Sequence, residues 1–394
     1  MQSTMRKSNG ELFSIELDPL EIRLGERIDQ TEPVPFDLPG FEDKWVLSSA
    51  LQKLIRRGKP LQAINIGLRL HQIDSGYLPR RLPVIAIEDV GIGDLSVCRD
   101  VLLTCSATRW WRAEASRTIA FLVGAMARAI KSRSACDAVC LAEAHRAAPP
   151  MMAPLLAATP SQLVGIAANR GRPRLERMNA LRLLGGVTVR QGARYVQVSR
   201  CDLRALDQVA CELEVPSLVR WLMSQNRKTG NLASMLPIVV EAASERVVRQ
   251  GGDFPHSLDV MSGVPLCGVD MFSEVGRGAL REFFLSSASF KNFAARHIKS
   301  PRPMRLFNMA LFHAESAILD RYLAAPALDR LTLEVEHEEM GHLGMTDPEH
   351  RTELRGLILA DAGRLASIRR QRLVPLLSDA AVVAELASAE EPHE

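Results

Sequence analysis

Apolar residues recur at intervals of three and four along most of this 394-residue chain, and this spacing limits its fold more than any other feature. Leu47, Leu51 and Leu54 form the first such stripe, which ends at Gly58. Comparable patterns predict helices over residues 60–73, 78–90, 115–130, 175–184, 202–213, 217–224, 232–249, 276–285, 303–323 and 350–377. The sequence therefore predicts an all-α protein.

One segment departs from the helical spacing. Between Val187 and Ser199, β-branched and polar residues alternate on both sides of Gln191 and Gly192. Alternation with a period of two is typical of strands, and a glycine at the centre is typical of a tight turn. We expect one small β-hairpin on an otherwise helical background.

Prolines divide the chain into two candidate domains. Pro149, Pro150, Pro154 and Pro160 interrupt the helical spacing over about a dozen residues. The chain is long enough for two or three domains. We expect an extended N-terminal arm at 1–44, a helical module at 45–148, a second helical domain with the hairpin at 161–385, and an acidic tail at 386–394.

The composition narrows the class of protein. Charged residues make up 24 % of the chain and hydrophobic residues 47 %, as in ordinary globular proteins, and the net charge of +3 neither favours nor excludes nucleic acid. Seven scattered cysteines and an N-terminus without an apolar signal segment predict a reducing, cytoplasmic location. The longest uncharged stretch, 147–169, contains the four prolines, so we expect no membrane segment.

Positive charge is concentrated in one part of the sequence. Residues 166–204 contain two acidic residues, Glu176 and Asp202, against nine arginines: Arg170, Arg172, Arg174, Arg177, Arg182, Arg190, Arg194, Arg200 and Arg204. A flexible basic loop beside a hairpin tip suits a nucleic-acid backbone, whereas an acidic protein surface or a solvated face are the alternatives. With Tyr195 as the one aromatic residue here, base stacking has little support. The predicted backbone contacts are Arg170, Arg172, Arg174, Arg177, Arg190 and Arg194.

A second basic group, Lys53, Arg56 and Arg57, lies at the end of the first helix of the 45–148 module. We include these three residues among the candidate nucleic-acid contacts. Their alternatives are stabilisation of the helix C-terminus or ion pairing with Glu88 and Asp89.

The same module contains a recognisable pattern in "ALQKLIRRG…LQAINIGLRL…YLPRRLPVIAIEDVGIGD". It resembles the C-terminal region of the MgsA/RarA family, AAA+ ATPases that act at stalled replication forks and are relatives of clamp loaders. The matching positions are Ala50, Lys53, Ile55, Arg56, Arg57, Ala63, Arg80, Arg81, Leu82, Ala86, Glu88, Asp89, Val90, Gly91 and Asp94.

This resemblance implies a collar-like helical module that serves oligomer assembly and lies beside DNA. It also implies structural roles for the family-motif residues Arg80, Arg81, Glu88, Asp89, Gly91 and Asp94. The chain departs from the family in two respects. It lacks the phosphate-binding sequence G-x-x-x-x-G-K-[ST], so no ATPase activity is expected, and Pro83 is expected to kink the third helix.

Other candidate sites are weaker. In "EVEHEEMGH", His337 and His342 are five residues apart rather than the four that a helical zinc motif needs, although Glu338 and His342 have that spacing. Together with Asp270 and His256, this pair defines an alternative as a metal-dependent hydrolase or nuclease. Elsewhere, Ser273 is expected to cap a helix, either as an ordinary cap or beside Arg277 as a phosphate site, and Cys136 and Cys140 are expected to be core thiols. We predict no catalytic residue, metal or cofactor.

The sequence thus favours a non-catalytic, DNA-associated accessory or assembly factor in replication, recombination or repair. The expected partners are nucleic acid, bound through the basic patch, and further copies of the chain, bound through the 45–148 module. The alternative is that the chain is a protein-interaction module that does not bind DNA. In that case we expect its partner to be an AAA+ ATPase or a replisome protein. No membrane partner is expected.

Overall fold

A computed structural model describes residues 17–34, 41–145, 148–191, 194–298 and 303–377. These residues are predominantly helical, which confirms the all-α class. The α-helices are α1 Leu17–Asp29, α2 Lys44–Arg56, α3 Pro60–Ile73, α4 Tyr77–Ile85, α5 Leu95–Ser106, α6 Thr108–Ala113, α7 Ala115–Arg128, α8 Ser134–Ala144, α9 Ala148–Ala157, α10 Pro160–Ala168, α11 Arg174–Gly185, α12 Leu203–Glu212, α13 Ser217–Ser224, α14 Leu236–Ala242, α15 Glu274–Ser286, α16 Ala288–His297, α17 Pro303–Leu311, α18 Pro326–His342, α19 Pro348–Ala360 and α20 Ala362–Leu373.

Short tighter or wider helical turns connect several of these helices. Two are π-helical, Ala86–Val90 and Phe312–Ser316, and five are 3₁₀-helical: Gly91–Gly93, Asn226–Thr229, Leu232–Met235, Leu266–Gly268 and Val374–Leu376. Among the described residues no helix is both long and apolar enough to cross a membrane.

The strands form small antiparallel pairs. β1 (Thr188–Gln191) and β2 (Arg194–Gln197) make the predicted hairpin, with Val189 opposite Val196. β4 (Val260–Met261) pairs with β5 (Val264–Pro265) in the same local manner. β3 (Val247–Gln250) pairs with β6 (Arg321–Ala324), which lies far along the chain.

The β3–β6 pair shows that the predicted ends of two helices, 232–249 and 303–323, are wrong. Each helix stops early because its last residues become a strand that finds its hydrogen-bond partners in the other segment. Lys131 reinforces β6, since its N–H donates to the Arg321 carbonyl and its own carbonyl accepts from the Leu323 N–H, both at 2.9 Å. Tertiary pairing therefore outweighs local helical spacing here.

The predicted extended arm at 1–44 is wrong for residues 17–29, which form α1. Leu20, Leu24 and Ile28 recur every four residues and give this segment one apolar face. Leu24 and Ile28 are fully buried, and α1 packs against α7. Residues 1–16 and 35–40 lie outside the described part, as do the whole predicted acidic tail, 386–394, and the residues before it, 378–385.

The proline-rich stretch forms two helices rather than a linker. Pro160 occupies the first turn of α10, where a missing N–H costs nothing, and Thr159 caps that helix through its hydroxyl oxygen, which accepts from Gln162 N–H at 3.3 Å. Pro149 and Pro150 fall in the first turn of α9. Three of the four prolines therefore mark helix starts, and Pro154 lies inside α9.

The two predicted domains share one core. Buried apolar side chains form a continuous cluster from Leu24 to Leu373. Across the predicted boundary, α8 packs on α18, and α2 packs on the 3₁₀ turn Leu266–Gly268. Gly268 permits that approach, since a Cβ there would lie 2.9 Å from the Ala50 Cβ. These two contacts place α2 and α8 against the C-terminal half of the chain.

Candidate functional site

The arginines of residues 166–204 do not form one positive patch, because folding brings distant carboxylates to three of them. Arg174 pairs with Glu334, and Arg182 donates to Glu143 at 2.7 Å. Arg177 is buried and makes a bidentate pair with Glu241 at 3.1 and 2.8 Å. This pairing holds the pKa of the Glu241 carboxyl below its usual range. The predicted nucleic-acid contact at Arg177 is therefore wrong, since its guanidinium is occupied inside the protein.

Two predicted contact residues remain open to solvent. The Arg170 side chain is 64 % exposed and only loosely paired with Glu241, at 3.8 Å. The Arg172 side chain is 52 % exposed and lies 3.3 Å from Glu176 on the next helical turn. Arg190 and Arg194 occupy β1 and β2, but their side chains lie outside the described part of the chain.

Among the described arginine side chains of residues 166–204, the least paired are two that the sequence analysis counted but did not select as contacts. Arg200 and Arg204 are exposed, and no described carboxylate pairs with either one. With Arg227 they line a groove of about 560 Å³ between α9, α10 and the start of α12. We call Arg170, Arg172, Arg200, Arg204 and Arg227 the arginine face. For Arg200 and Arg204 the available signal was that the acidic residue between them, Asp202, is used as the α12 cap.

α12 relates the two ends of this arginine face. Arg204 lies in its first turn, and Arg170 reaches the carbonyl of Leu213, directly after its last turn, at 3.4 Å. Ten helical residues span roughly 15 Å. Measured along the axis of a duplex, where each strand carries one phosphate about every 3.4 Å, this equals about four phosphate steps.

The second predicted basic group lies inside the protein. Lys53, Arg56 and Arg57 are 2 %, 3 % and 5 % exposed. Lys53 pairs with Asp270, Arg56 donates to Asp89 at 2.5 Å, and Arg57 donates to the Glu315 carbonyl at 2.7 Å. Their burial gives a nucleic-acid backbone no access, so the ion-pair alternative holds for Arg56 and these three residues leave the candidate interface.

Arg369 and Glu315 extend this buried charge. Both side chains are fully buried and make two parallel hydrogen bonds of 2.7 Å. Burial would raise the pKa of Glu315, but the Arg369 guanidinium outweighs it and the pKa is lowered. We call the pairs Lys53–Asp270, Arg56–Asp89 and Arg369–Glu315 the buried ion network, which joins α2 to the C-terminal half.

The family-motif residues surround this network. Arg81 donates to Gln52 Oε1 at 2.6 Å and lies 3.7 Å from Glu88, whereas Arg80 is exposed and only near Asp74. Asp94 caps α5, since its carboxylate accepts from the N–H groups of Ser96 and Val97 at 3.1 Å. After Pro83 the predicted single helix changes at Ala86 to a π-turn.

Gly91 ends that turn with a φ of +49°, which disfavours any side chain. A Cβ there would lie 2.6 Å from the carbonyl oxygen of Ser132. The glycine thus permits the strand-like segment before α8 to approach the motif.

A cavity of about 1130 Å³ opens beside the network. Its lining combines buried polar groups, among them Gln52, Arg56 and Arg133, with aromatic side chains at the surface. Trp45 and Phe272 line it and are 59 % and 55 % exposed. Among the described phenylalanines, tyrosines and tryptophans, these two alone are exposed.

Comparison with protein-family models, with curated proteins and with solved structures finds no match. Function must therefore be inferred from the residues of this chain.

The residues of the hydrolase alternative have separate partners. Asp270 bonds Lys53 and Ser49, whereas His256 bonds Asp259 at 3.0 Å. His342 contacts the Ala144 carbonyl, and Glu338 lies 3.9 Å from His145. Within the described residues no group of three metal-ligating side chains comes together.

The remaining sequence candidates have simple structural explanations. Ser273 caps α15, because its hydroxyl oxygen accepts from the Gly276 N–H at 3.0 Å, and Arg277 donates to the Met271 carbonyl. Cys136 and Cys140 are partly buried, 4.0 Å apart, and pack against the hydrophobic core as well as lining the cavity.

Proposed function

We propose that this chain is a non-catalytic, nucleic-acid-associated accessory factor that contacts a phosphate backbone through the arginine face. The observation that carries the proposal is the pair Arg200 and Arg204, which are exposed and have no carboxylate partner among the described residues. Arginines held without a counter-charge at the surface favour bidentate contacts to phosphate. The two ends of α12 lie far enough apart to contact phosphates about four steps apart along one strand.

The resemblance to the MgsA/RarA family supports the cellular context of the proposal. In that context the chain acts in the cytoplasm, in replication, recombination or repair, and assembles into a homo-oligomer through residues 45–148. The buried ion network supports a rigid module of this kind, because Arg56–Asp89 links two helical segments of the module and Lys53–Asp270 fixes how α2 sits against the C-terminal half.

Binding is tested by fluorescence anisotropy of the full chain with single-stranded, duplex and forked DNA at two salt concentrations. Each phosphate contact contributes about −0.9 to the log–log dependence of affinity on salt. The double variant Arg200→Glu/Arg204→Glu is expected to bind all three DNAs at least tenfold more weakly in low salt. With duplex DNA its salt slope should be smaller in magnitude by about 1.8, the value for two lost contacts, and with single strands by about 1.4.

The matched control is Arg281→Glu/Arg305→Glu. These two arginines are also exposed and without a carboxylate partner among the described residues, but they lie on α15 and α17. The control should bind as the unmodified chain does. Equal loss in both variants would show a general charge effect, and no binding by the unmodified chain in low salt would overturn the proposal in favour of a protein-interaction module.

Oligomer formation is tested separately by mass photometry of the same samples. Particles at a multiple of 43.4 kDa are expected. A monomer at all accessible concentrations would contradict assembly through residues 45–148.

A further inference from the structure

The cavity beside the buried ion network has two features that point to a ligand. The first is its aromatic rim. Trp45 lies near the start of α2 and Phe272 precedes α15, so the two rings come from distant parts of the chain and line the same opening. Exposed aromatic faces offer a stacking surface for flat rings, and such stacking tolerates any base.

The second feature is the start of α8, which is polar where the rim is apolar. Arg133 is its N-cap residue, and no side chain accepts from the first-turn N–H groups. These N–H groups lack helical partners and carry the positive end of the helix dipole. The hydroxyls of Ser132 and Ser134, 2.8 Å apart, flank the same position and line the cavity.

Arg133 is an independent indication of an anion at this place. Its side chain is 9 % exposed, and its Nη1 has no hydrogen-bond partner. The nearest carboxylate oxygen, on Asp89, is 3.7 Å from Nη1, and Nη2 has only the Cys136 sulfur at 3.7 Å. A buried guanidinium with unused donors is costly, whereas a phosphate oxygen would satisfy it.

Three carboxylates, Asp89, Asp137 and Glu88, lie close enough to Arg133 to oppose an anion here. Glu88 accepts from Arg56 at 3.1 Å. Asp89 accepts from Arg56 at 2.5 Å and from Gln52 at 2.7 Å, so its charge is already paired. Burial raises the pKa of Asp137, which moves this side chain towards its neutral form, and it accepts from the Thr332 hydroxyl at 2.8 Å.

Phe312 connects the two features. Its ring centroid is 6.3 Å from that of Phe272 and 5.4 Å from the Arg133 guanidinium carbon. Phe272 and the anion position are therefore separated by no more than these two contacts, a span that one nucleotide fills. The cavity volume, about 1130 Å³, exceeds that of a typical small-ligand site.

We propose that this cavity binds a nucleoside phosphate. The base lies against Trp45 and Phe272, and the phosphate lies at the start of α8 against Arg133, Ser132 and Ser134. The site is separate from the arginine face, so this proposal does not depend on nucleic-acid backbone binding there. A free mononucleotide and the 5′-phosphorylated end of a single strand present the same chemistry.

Isothermal titration of the full chain with dAMP, deoxyadenosine, ribose 5-phosphate and inorganic phosphate tests both halves of the site. The nucleotide is expected to bind at least tenfold more tightly than either the nucleoside or the sugar phosphate. Binding of dAMP no tighter than inorganic phosphate would overturn the proposal.

Variants at the rim separate binding from folding. Trp45→Ala and Phe272→Ala change exposed side chains, so they should leave the unliganded melting temperature unchanged and lower dAMP affinity towards that of ribose 5-phosphate. Leu61→Ala is the matched control, since Leu61 is 65 % exposed on α3 and does not line the cavity. Arg133→Lys should weaken dAMP and ribose 5-phosphate alike and leave the weak binding of deoxyadenosine unchanged. Unchanged dAMP affinity in both rim variants would contradict the placement of the base.

The source of the nucleotide is resolved with 5′-phosphorylated and 5′-hydroxyl oligothymidylate in the Arg200→Glu/Arg204→Glu background, where the arginine face no longer contributes. A preference for the phosphorylated end that Trp45→Ala removes supports the site with a strand end as ligand. Binding of dAMP without any preference between the two strands supports it with a free nucleotide. If the Arg200→Glu/Arg204→Glu variant itself, with the rim unchanged, lost dAMP binding, the claim that the two sites are independent would be overturned.

Discussion

The buried ion network and the arginine face both contain basic residues, but they differ in how fully those residues are paired with carboxylates. In the network, each of Lys53, Arg56 and Arg369 meets a carboxylate from another part of the fold. On the arginine face, Arg200 and Arg204 meet none among the described residues. The role of a basic residue is thus decided by which carboxylates folding brings to it rather than by its sequence neighbours.

The two regions also differ in what a lost charge costs. Removing one partner of a buried pair leaves an uncompensated ion in a poorly solvated place, which is strongly destabilising. An exposed arginine is solvated by water in both the folded and unfolded states, so its loss changes stability little. Mutations that exploit this contrast test whether the two regions are correctly distinguished.

The largest effect is expected for Glu315→Ala. The change strands the Arg369 guanidinium, which is fully buried, and should lower the free energy of unfolding by about 3–5 kcal/mol. Urea unfolding followed by circular dichroism measures it. Glu282→Ala, which removes the partner of Arg372 in an exposed pair, is the control and should cost under about 1 kcal/mol. A loss for Glu315→Ala as small as the control would mean that the network is solvated.

Gly91→Ala should have the next largest effect. The substitution forces a side chain into a backbone with φ of +49° and against the Ser132 carbonyl. We expect a loss of about 1–3 kcal/mol in unfolding free energy, measured as above. Gly165→Ala in α10 is the matched control, because a Cβ there meets nothing within 4 Å, and it should be neutral or stabilising. Equal behaviour of the two variants would show that the motif glycine is replaceable.

Features governed by neighbours in sequence were predictable, and those governed by distant partners were not. The helix at Ser217–Ser224, the hairpin and the caps at Asp94 and Ser273 all follow from local patterns. β3 was assigned to a helix because its partner β6 lies elsewhere in the chain.

The candidate sites show the same limit. Counting charges between residues 166 and 204 selected Arg174, whose partner Glu334 is 160 residues away. The cavity could not be predicted from the sequence, because Trp45, Arg133 and Phe272 come from three separate segments. Only a folded chain places an aromatic rim beside a guanidinium whose Nη1 has no hydrogen-bond partner.

The pH dependence of stability should distinguish the regions by sign. The pKa of Glu315 is lowered by Arg369, so this pair contributes stability above the ordinary glutamate value of 4.5. That contribution is lost as pH falls through the lowered pKa of the folded state. Unfolding free energies between pH 7 and pH 3 should therefore fall less steeply in Glu315→Leu/Arg369→Met than in the unmodified chain. An identical slope in both would mean that Glu315 does not titrate with unfolding.

The smallest effect on stability is expected for Arg200→Glu/Arg204→Glu. Neither side chain is buried or paired within the described part of the chain, so the free energy of unfolding should change by less than about 0.5 kcal/mol. Melting and urea unfolding of this variant beside Arg281→Glu/Arg305→Glu measure the difference. A loss above about 1 kcal/mol, beyond the usual surface range, would place the two arginines with the buried network as structural residues. A neutral result combined with weakened DNA binding assigns them to recognition, because a change that spares the fold and removes an interaction acts at the surface that makes it.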